Sequence, residues 1–318
     1  MTSESQAKLA FVFPGQGSQS VGMLDALRSA SPTVENTFAE ASEALGFDLG
    51  ALVRNGPAED LNRTENTQPA MLTAGVAIWR EWRERGGAVP GSMAGHSLGE
   101  YTALVCAGAL EFVTAVKLVA ERGRLMQQAV PEGQGAMAAI LGLSDDGVRE
   151  LCHNSAQGEV CQPVNFNAPG QIVIAGTASA VQRALDSARD AGAKRALRLP
   201  VSVPSHCSLM ESAAERLADR LAATEFTKPK IRVLHNADVS AAGDADAIRK
   251  RLAEQLHKPV RWVEIIRQIA ASGVRNVVEC GPGKVLIGLN KRIEPELAAH
   301  AIFDPDSVKE TIEAIANA

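Results

Sequence analysis

The segment Gly95-His96-Ser97-Leu98-Gly99 constrains the fold more than any other part of the chain. It follows a short strand-like run, Ser92–Gly95, and opens a helix-like run, Leu98–Ala107. A serine between two glycines at such a junction makes a nucleophile elbow. The turn is strained, the neighbouring chain comes close, and the hydroxyl is lifted to the mouth of a sheet. A second segment agrees with an α/β sheet. Leu9-Ala-Phe-Val-Phe13, closed by Pro14-Gly15, is apolar without alternation, as in a parallel strand buried on both faces.

Helix-like and strand-like runs alternate through most of the chain. Thr67–Arg85 and Phe112–Ala129 read as helices, stopped by Gly86-Gly87 and by Pro131. The stretch 131–199 has a different order. Ala136–Leu143, Glu159–Asn167, Ile172–Ala175 and Lys194–Leu199 read as strands. Helices capped by Ser144 and spanning Ala178–Ala191 lie between them, giving β-α-β-β-α-β, the ferredoxin-like arrangement. Beyond it, Ser208–Ala223, Asp246–Gln255 and Trp262–Ala271 read as helices, and Ile231–Leu234 and Val274–Cys280 as strands. Gly281-Pro-Gly-Lys284 opens another helix, and Ala299–Phe303 and Ser307–Ala318 close the fold. The expectation is an α/β chain of 318 residues. Its α/β-hydrolase-like catalytic domain comprises 1–130 and 200–318, interrupted by a ferredoxin-like insert at 131–199.

Composition narrows the function. A net charge of −5 and 4% aromatic residues suit neither the basic footprint nor the stacking platforms of nucleic-acid binding. The cysteines, Cys106, Cys152, Cys161, Cys207 and Cys280, are odd in number and none is in CxxC spacing. A disulfide framework and a zinc site are therefore not expected. The first residues, MTSESQAKLAFVFPGQG, lack the apolar core of a signal peptide, and no apolar run approaches the ~18 residues of a membrane span. The expectation is a cytoplasmic protein without membrane contact.

A serine hydroxyl needs a base. Of six histidines, His206 is best placed, in Pro200-Val-Ser-Val-Pro-Ser-His-Cys207, where the chain re-enters the larger domain at a cleft. His96 is expected to turn away from Ser97, His235 to be structural at a strand end, and His257 to lie at the surface. His153 falls in the insert and His300 near the C-terminus. The helix Phe112–Ala129 adds a further feature. At about 100° per residue, Arg122 falls about 40° from Leu118, inside the apolar stripe, whereas Arg124 falls about 240° away on the wet face. An inward arginine needs a partner, either a buried Asp or Glu or an anionic group of a substrate. Three other motifs lead nowhere. Gly15-Gln-Gly17-Ser-Gln-Ser20 lacks the third glycine of a dinucleotide fingerprint, and Gly281-Pro-Gly283-Lys284-Val285 lacks Walker spacing. Asp145-Asp146 merely opens a helix.

Phe13-Pro-Gly-Gln-Gly-Ser-Gln19, Gly95-His-Ser-Leu-Gly-Glu-Tyr101, Arg122-Gly-Arg-Leu-Met-Gln127, Pro204-Ser-His206 and Gly281-Pro-Gly-Lys-Val-Leu286 occur in that order over essentially the whole chain. The chain thereby resembles the malonyl-CoA:acyl carrier protein transacylases of fatty-acid synthesis. The resemblance implies Ser97 as nucleophile and His206 as general base and then general acid. It implies the backbone carbonyl of Gln255 as the group orienting His206, since no Asp or Glu in 98–205 stands out for that task. It implies the backbone N–H groups of Gln16 and Leu98 as the oxyanion hole, and Arg122 as the holder of the malonyl carboxylate. No metal or cofactor is implied, because the CoA thioester is a substrate. The implied partners are malonyl-CoA and acyl carrier protein, met by a monomer. Carrier proteins are acidic, so Lys194, Arg195 and Arg198, and Lys284, Lys291 and Arg292, are docking candidates. The rivals are a trans-acting acyltransferase of polyketide synthesis, a serine esterase, and a non-catalytic carrier-binding module. An esterase would want a catalytic acid and have no use for Arg122. An intact Ser97, His206 and Arg122 set speaks against the binding module.

Overall fold

The computed structural model describes residues 8–201 and 203–317; Met1–Ala7 and Ala318, included in the N-terminal and C-terminal expectations, lie outside them. The strands are β1 (Leu9–Phe13), β2 (Ser92–Gly95), β3 (Gly135–Leu141), β4 (Cys161–Ala168), β5 (Gln171–Thr177), β6 (Arg195–Arg198), β7 (Arg232–Leu234), β8 (Asn276–Cys280) and β9 (Ala298–Ile302). They form two sheets. One runs β7-β2-β1-β8-β9 with every neighbouring pair parallel, and the other runs β4-β5-β3-β6 with every pair antiparallel.

Strand β1 is central and buried along its whole length. Its side chains alternate between two cores. Phe11 and Phe13 join Trp82 and the long helix Thr64–Glu84, while Ala10 and Val12 join Trp262, Ile265 and Ile269 of the helix Trp262–Ala271. Helices thus cover both faces, which is why the run contains no polar residue.

The antiparallel sheet buries one face against the helices Asp145–Ala156 and Ala178–Ser187. Ser144 caps the first of these by accepting from Gly147 N. The other face, with Met137, Val164 and Val173, packs on Cys207 where the chain returns to the parallel sheet. Val260 ties the two units together: its N–H donates to Val164 O at 2.8 Å and its carbonyl accepts from Phe166 N at 3.0 Å.

Several boundaries differ from the sequence reading. The expected helix 208–223 begins as a 3₁₀ turn, Ser208–Met210, before the α-helix Glu211–Ala222. The expected helix 178–191 ends at Ser187. The last helix starts at Pro305 because Asp304 forms a capping box with Ser307. The segment 25–61, for which the pattern gave no reading, folds into four helices, the longest being Pro32–Leu45.

Candidate active site

Strands β1 and β2 run side by side and end together at Phe13 and Gly95. The loops leaving these ends meet above the sheet, where ligands of open α/β sheets bind. At Gly95 a Cβ would fall 1.8 Å from the Gly99 carbonyl carbon, and at Gly15 one would fall 2.5 Å from the His96 carbonyl oxygen. Only residues without side chains let these turns close. Between them Ser97 takes φ +51°, a left-handed conformation that costs a non-glycine residue about 1–3 kcal/mol. Asn236 holds it there. Its Oδ1 accepts from Ser97 N at 2.7 Å and its Nδ2 donates to Gly95 O at 2.6 Å.

Ser97 Oγ lies 2.8 Å from His206 Nε2. His206 is itself left-handed, at φ +66°, and its backbone N–H donates to Leu256 O at 2.9 Å. Its Nδ1 donates to the Gln255 carbonyl at 2.7 Å, which leaves the lone pair of Nε2 facing the serine. Burial, and after it the Arg122 guanidinium, push the His206 pKa down to about 3. The imidazole is therefore neutral near pH 7 and able to accept a proton.

Arg122 is 1% exposed. Its Nη1 donates to Gln68 Oε1 at 2.8 Å, and its Nη2 donates to Gln255 Oε1 at 2.9 Å and to Ser97 Oγ at 3.3 Å. Its Cζ stands 5.4 Å from the Tyr101 ring centroid. The Nε is buried without a partner. Among the described residues no carboxylate forms an ion pair with it. The inward arginine thus has neutral acceptors and spare donors, and the reading in which a buried Asp or Glu pairs with it finds no such residue. Burial lowers its pKa, while Tyr101 and Glu100 oppose that.

Gln16, Ser97, Arg122 and His206 line a cavity of about 120 Å³, whose wall is completed by apolar groups such as Met126 and Leu199. Among the described residues, the backbone N–H groups of Gln16 and Leu98 donate to no other group. The remaining histidines do other things. His96 Nε2 lies 2.8 Å from Asn167 Oδ1, and its ring rests against Trp262. His235 Nδ1 bonds Glu100 Oε1 at 2.7 Å, fully buried. His257 is half-buried rather than at the surface, and its Nδ1 has no partner. His153 is exposed, and His300 approaches Asn276 at 3.4 Å.

Sequence reasoning missed Gln68, Asn236, Glu100 and the side chain of Gln255. One signal was present. Glu100 is the only ionisable carboxyl in Gly99–Cys106, a helix whose other residues read as core. The others carry no distinctive spacing.

A seryl hydroxyl paired with a neutral histidine beside free backbone donors defines an acyl-transferring site. The acyl transferase domain family matches residues 10–293, and the chain belongs to that family. Its close relatives include the malonyl CoA-acyl carrier protein transacylase of Salmonella typhimurium, 58% identical over 298 residues that cover 94% of this chain and 96% of that protein. The crystal structure of an acyl carrier protein S-malonyltransferase from Vibrio cholerae is 57% identical, with a TM-score of 0.93 over 96% of this chain and 99% of that one. A malonyl-transacylase solved in complex with its type II PKS acyl-carrier protein is 55% identical, with a TM-score of 0.96 over the same shares.

Proposed function

We propose that this enzyme moves a malonyl group from malonyl-CoA to the phosphopantetheine thiol of acyl carrier protein, through a malonyl ester on Ser97, supplying fatty-acid synthesis. The observation that carries the reading is Arg122: buried, beside the nucleophile, and, among the described residues, without a carboxylate in contact with it. A free carboxylate on the acyl group would supply the missing partner.

Ser97 Oγ attacks the thioester carbonyl while His206 Nε2 takes its proton. The negative charge moves to the carbonyl oxygen, which accepts from Gln16 N and Leu98 N. The C–S bond breaks, CoA leaves with the proton from His206, and malonyl-Ser97 remains. The carrier thiol then gives its proton to His206 and attacks the ester, and Ser97 leaves reprotonated. His206 is base and acid in turn, and the Gln255 carbonyl holds its tautomer. A serine esterase is disfavoured because the group on His206 Nδ1 is a carbonyl, not an acid.

The architecture supports a hydrolase-like body from 1–130 and 200–318 with a ferredoxin-like insert at 131–199. The insert's element order and its sheet order, β4-β5-β3-β6, suit that description. One chain supplies all of the cavity, which suits a monomer. Five buried, free cysteines suit a reducing cytoplasm, and no described helix is long and apolar enough to cross a membrane. The two basic clusters favour one rim as the carrier's landing place. Leu141 of β3 pairs with Arg195 of β6 on one side and Gln171 of β5 on the other. Arg292 donates to the Gln171 side chain and to Pro169 O. Both clusters therefore flank the same end of the small sheet, except that Arg198 turns toward Gln182.

Intact mass after incubation with malonyl-CoA or acetyl-CoA tests the proposal. A malonyl adduct is expected on the wild type and absent in Ser97→Ala. No adduct, or an equal acetyl adduct, refutes it. Transfer to a polyketide carrier is a second reading, favoured by the neighbour solved with such a carrier. Offering each carrier to the malonyl-enzyme separates the two.

A further inference from the structure

We infer that Glu100 is a positioning residue for the acyl carboxylate, acting as a remote counter-charge of Arg122 through the side-chain amide of Gln255. The inference rests on the malonyl reading above.

Glu100 is fully buried in the first turn of the helix Gly99–Cys106. Its Oε1 meets His235 Nδ1 at 2.7 Å, and its Oε2 accepts from Asn236 N at 2.8 Å and Gln255 Nε2 at 2.9 Å. Among the described residues neither lysine nor arginine touches it. The mechanism uses none of these atoms, yet burying a carboxylate is costly unless its charge is answered. His235 answers it only when protonated; the permanent cation lies one amide away.

Gln255 is the link. Its Nε2 donates to Glu100 Oε2 and to Ser97 O at 3.0 Å, and both of these are acceptors. Turning the amide over would set its oxygen against two acceptors, so the orientation is fixed. The Gln255 Oε1 must then face Arg122 Nη2, as it does at 2.9 Å. The result is a row: carboxylate, amide, guanidinium. A carboxylate in direct contact with Arg122 would occupy its fork and repel an incoming one. Set back by one amide, Glu100 compensates the buried cation and leaves Nε and the spare N–H groups unused.

The arrangement separates Glu100 from the reacting atoms, so its loss should discriminate between acyl groups. Glu100→Gln keeps the size and an acceptor oxygen for Gln255 but removes the charge. Expected is a fall of about tenfold or more in kcat/KM for malonyl-Ser97 formation, carried mainly by KM. Acetyl-Ser97 formation, which has no carboxylate to hold, should change by less than about threefold. Glu100→Asp, which keeps the charge, should recover part of the malonyl preference. Equal slowing of both acyl donors would reduce Glu100 to a structural support of the Ser97–His206 pair and overturn the inference, as would no change in either. If Glu100→Gln alone does not fold, the pair Glu100→Gln/Arg122→Met should, because it removes the orphaned cation. Failure of that rescue also overturns it. A wild type that takes no malonyl group at all would instead overturn the reading on which the inference rests.

Discussion

Arg122→Met removes a buried charge that, among the described residues, no carboxylate contacts directly, and its consequences for activity and for stability should diverge. For activity, the malonyl carboxylate would enter a buried pocket with no cation. Breaking a buried, hydrogen-bonded ion pair by deleting one partner costs about 3–5 kcal/mol, so kcat/KM for malonyl-CoA should fall by about a hundredfold to a few thousandfold. Acetyl-CoA brings no carboxylate, and its methyl group would meet Met126 and the new methionine. Its rate should hold or rise. For stability the balance is different. Among the described residues no carboxylate contacts Arg122 directly, so removing it relieves the desolvation of a buried charge, a gain on the order of a few kcal/mol. Against that, Gln68 Oε1 and Gln255 Oε1 each lose a donor at about 1–3 kcal/mol. The two effects nearly cancel, and the unfolding midpoint should move little. The assay is rapid-quench intact mass for each acyl donor, with thermal unfolding on the same samples. A parallel fall in acetyl transfer, or a collapse of stability, would refute the argument that this arginine is held for the substrate.

The elbow should not tolerate Gly95→Ala, whose Cβ would lie 1.8 Å from Gly99 backbone; loss of soluble protein or a destabilisation of several kcal/mol by denaturant titration is expected, against the ~1 kcal/mol typical of point substitutions. His206 is held near pKa 3 in the free enzyme, partly by Arg122, so kcat/KM should show no acid limb near pH 6.5. A bound malonyl carboxylate offsets Arg122 and raises that pKa, so the acid limb of kcat should lie at the higher pH of the two; the reverse order in pH–rate profiles would contradict this. The same depressed pKa bears on stability: the unfolded chain takes up a proton below about 6.5 that the folded one refuses. This contribution is whole above that pH and is lost as pH falls toward 3, measurable as a falling unfolding midpoint. Arg292→Glu and Arg195→Glu should each raise KM for the carrier by about fivefold or more at low salt, an effect of ~1 kcal/mol that shrinks at high salt, while Arg198→Glu does less.

The parts of this molecule that could be read from its sequence are those in which one physical requirement dominates a short stretch. Strand β1 had to be apolar on both faces, and Leu9–Phe13 was recovered to the residue. The helix Phe112–Ala129 was equally legible, bounded by Glu111 as its cap and by Val130-Pro131, and its periodicity alone put Arg122 inside. In segment 25–61 three helices are too short for a 3.6-residue period to repeat, whereas Pro32–Leu45 went unread although Ser31 caps it and Gly46 stops it. The substrate pocket was legible through its strained turn but not through its supports. Asn236, Gln68 and the Gln255 side chain act across separations of 139, 54 and 133 residues, and single polar residues at such distances leave no local pattern.

Those supports share a property that explains why this site has no acid behind its histidine. Among the described residues, the groups that hydrogen-bond Arg122 or His206 Nδ1 are neutral: two glutamine side-chain oxygens, a serine hydroxyl and a backbone carbonyl. An aspartate at the position of the Gln255 carbonyl would strengthen His206 as a base, as in hydrolase triads. It would also stand close to Arg122, whose field already reaches His206, and would compete with the substrate carboxylate for the guanidinium. A carbonyl fixes the tautomer without adding charge. On the malonyl reading the weaker base is tolerable, because a thioester is the bond to be broken and the N–H groups of Gln16 and Leu98, which bond no other group among the described residues, would face the developing oxyanion. On the malonyl reading, the positive charge of the pocket is then left for the acyl group, with the Glu100 carboxylate one amide behind it.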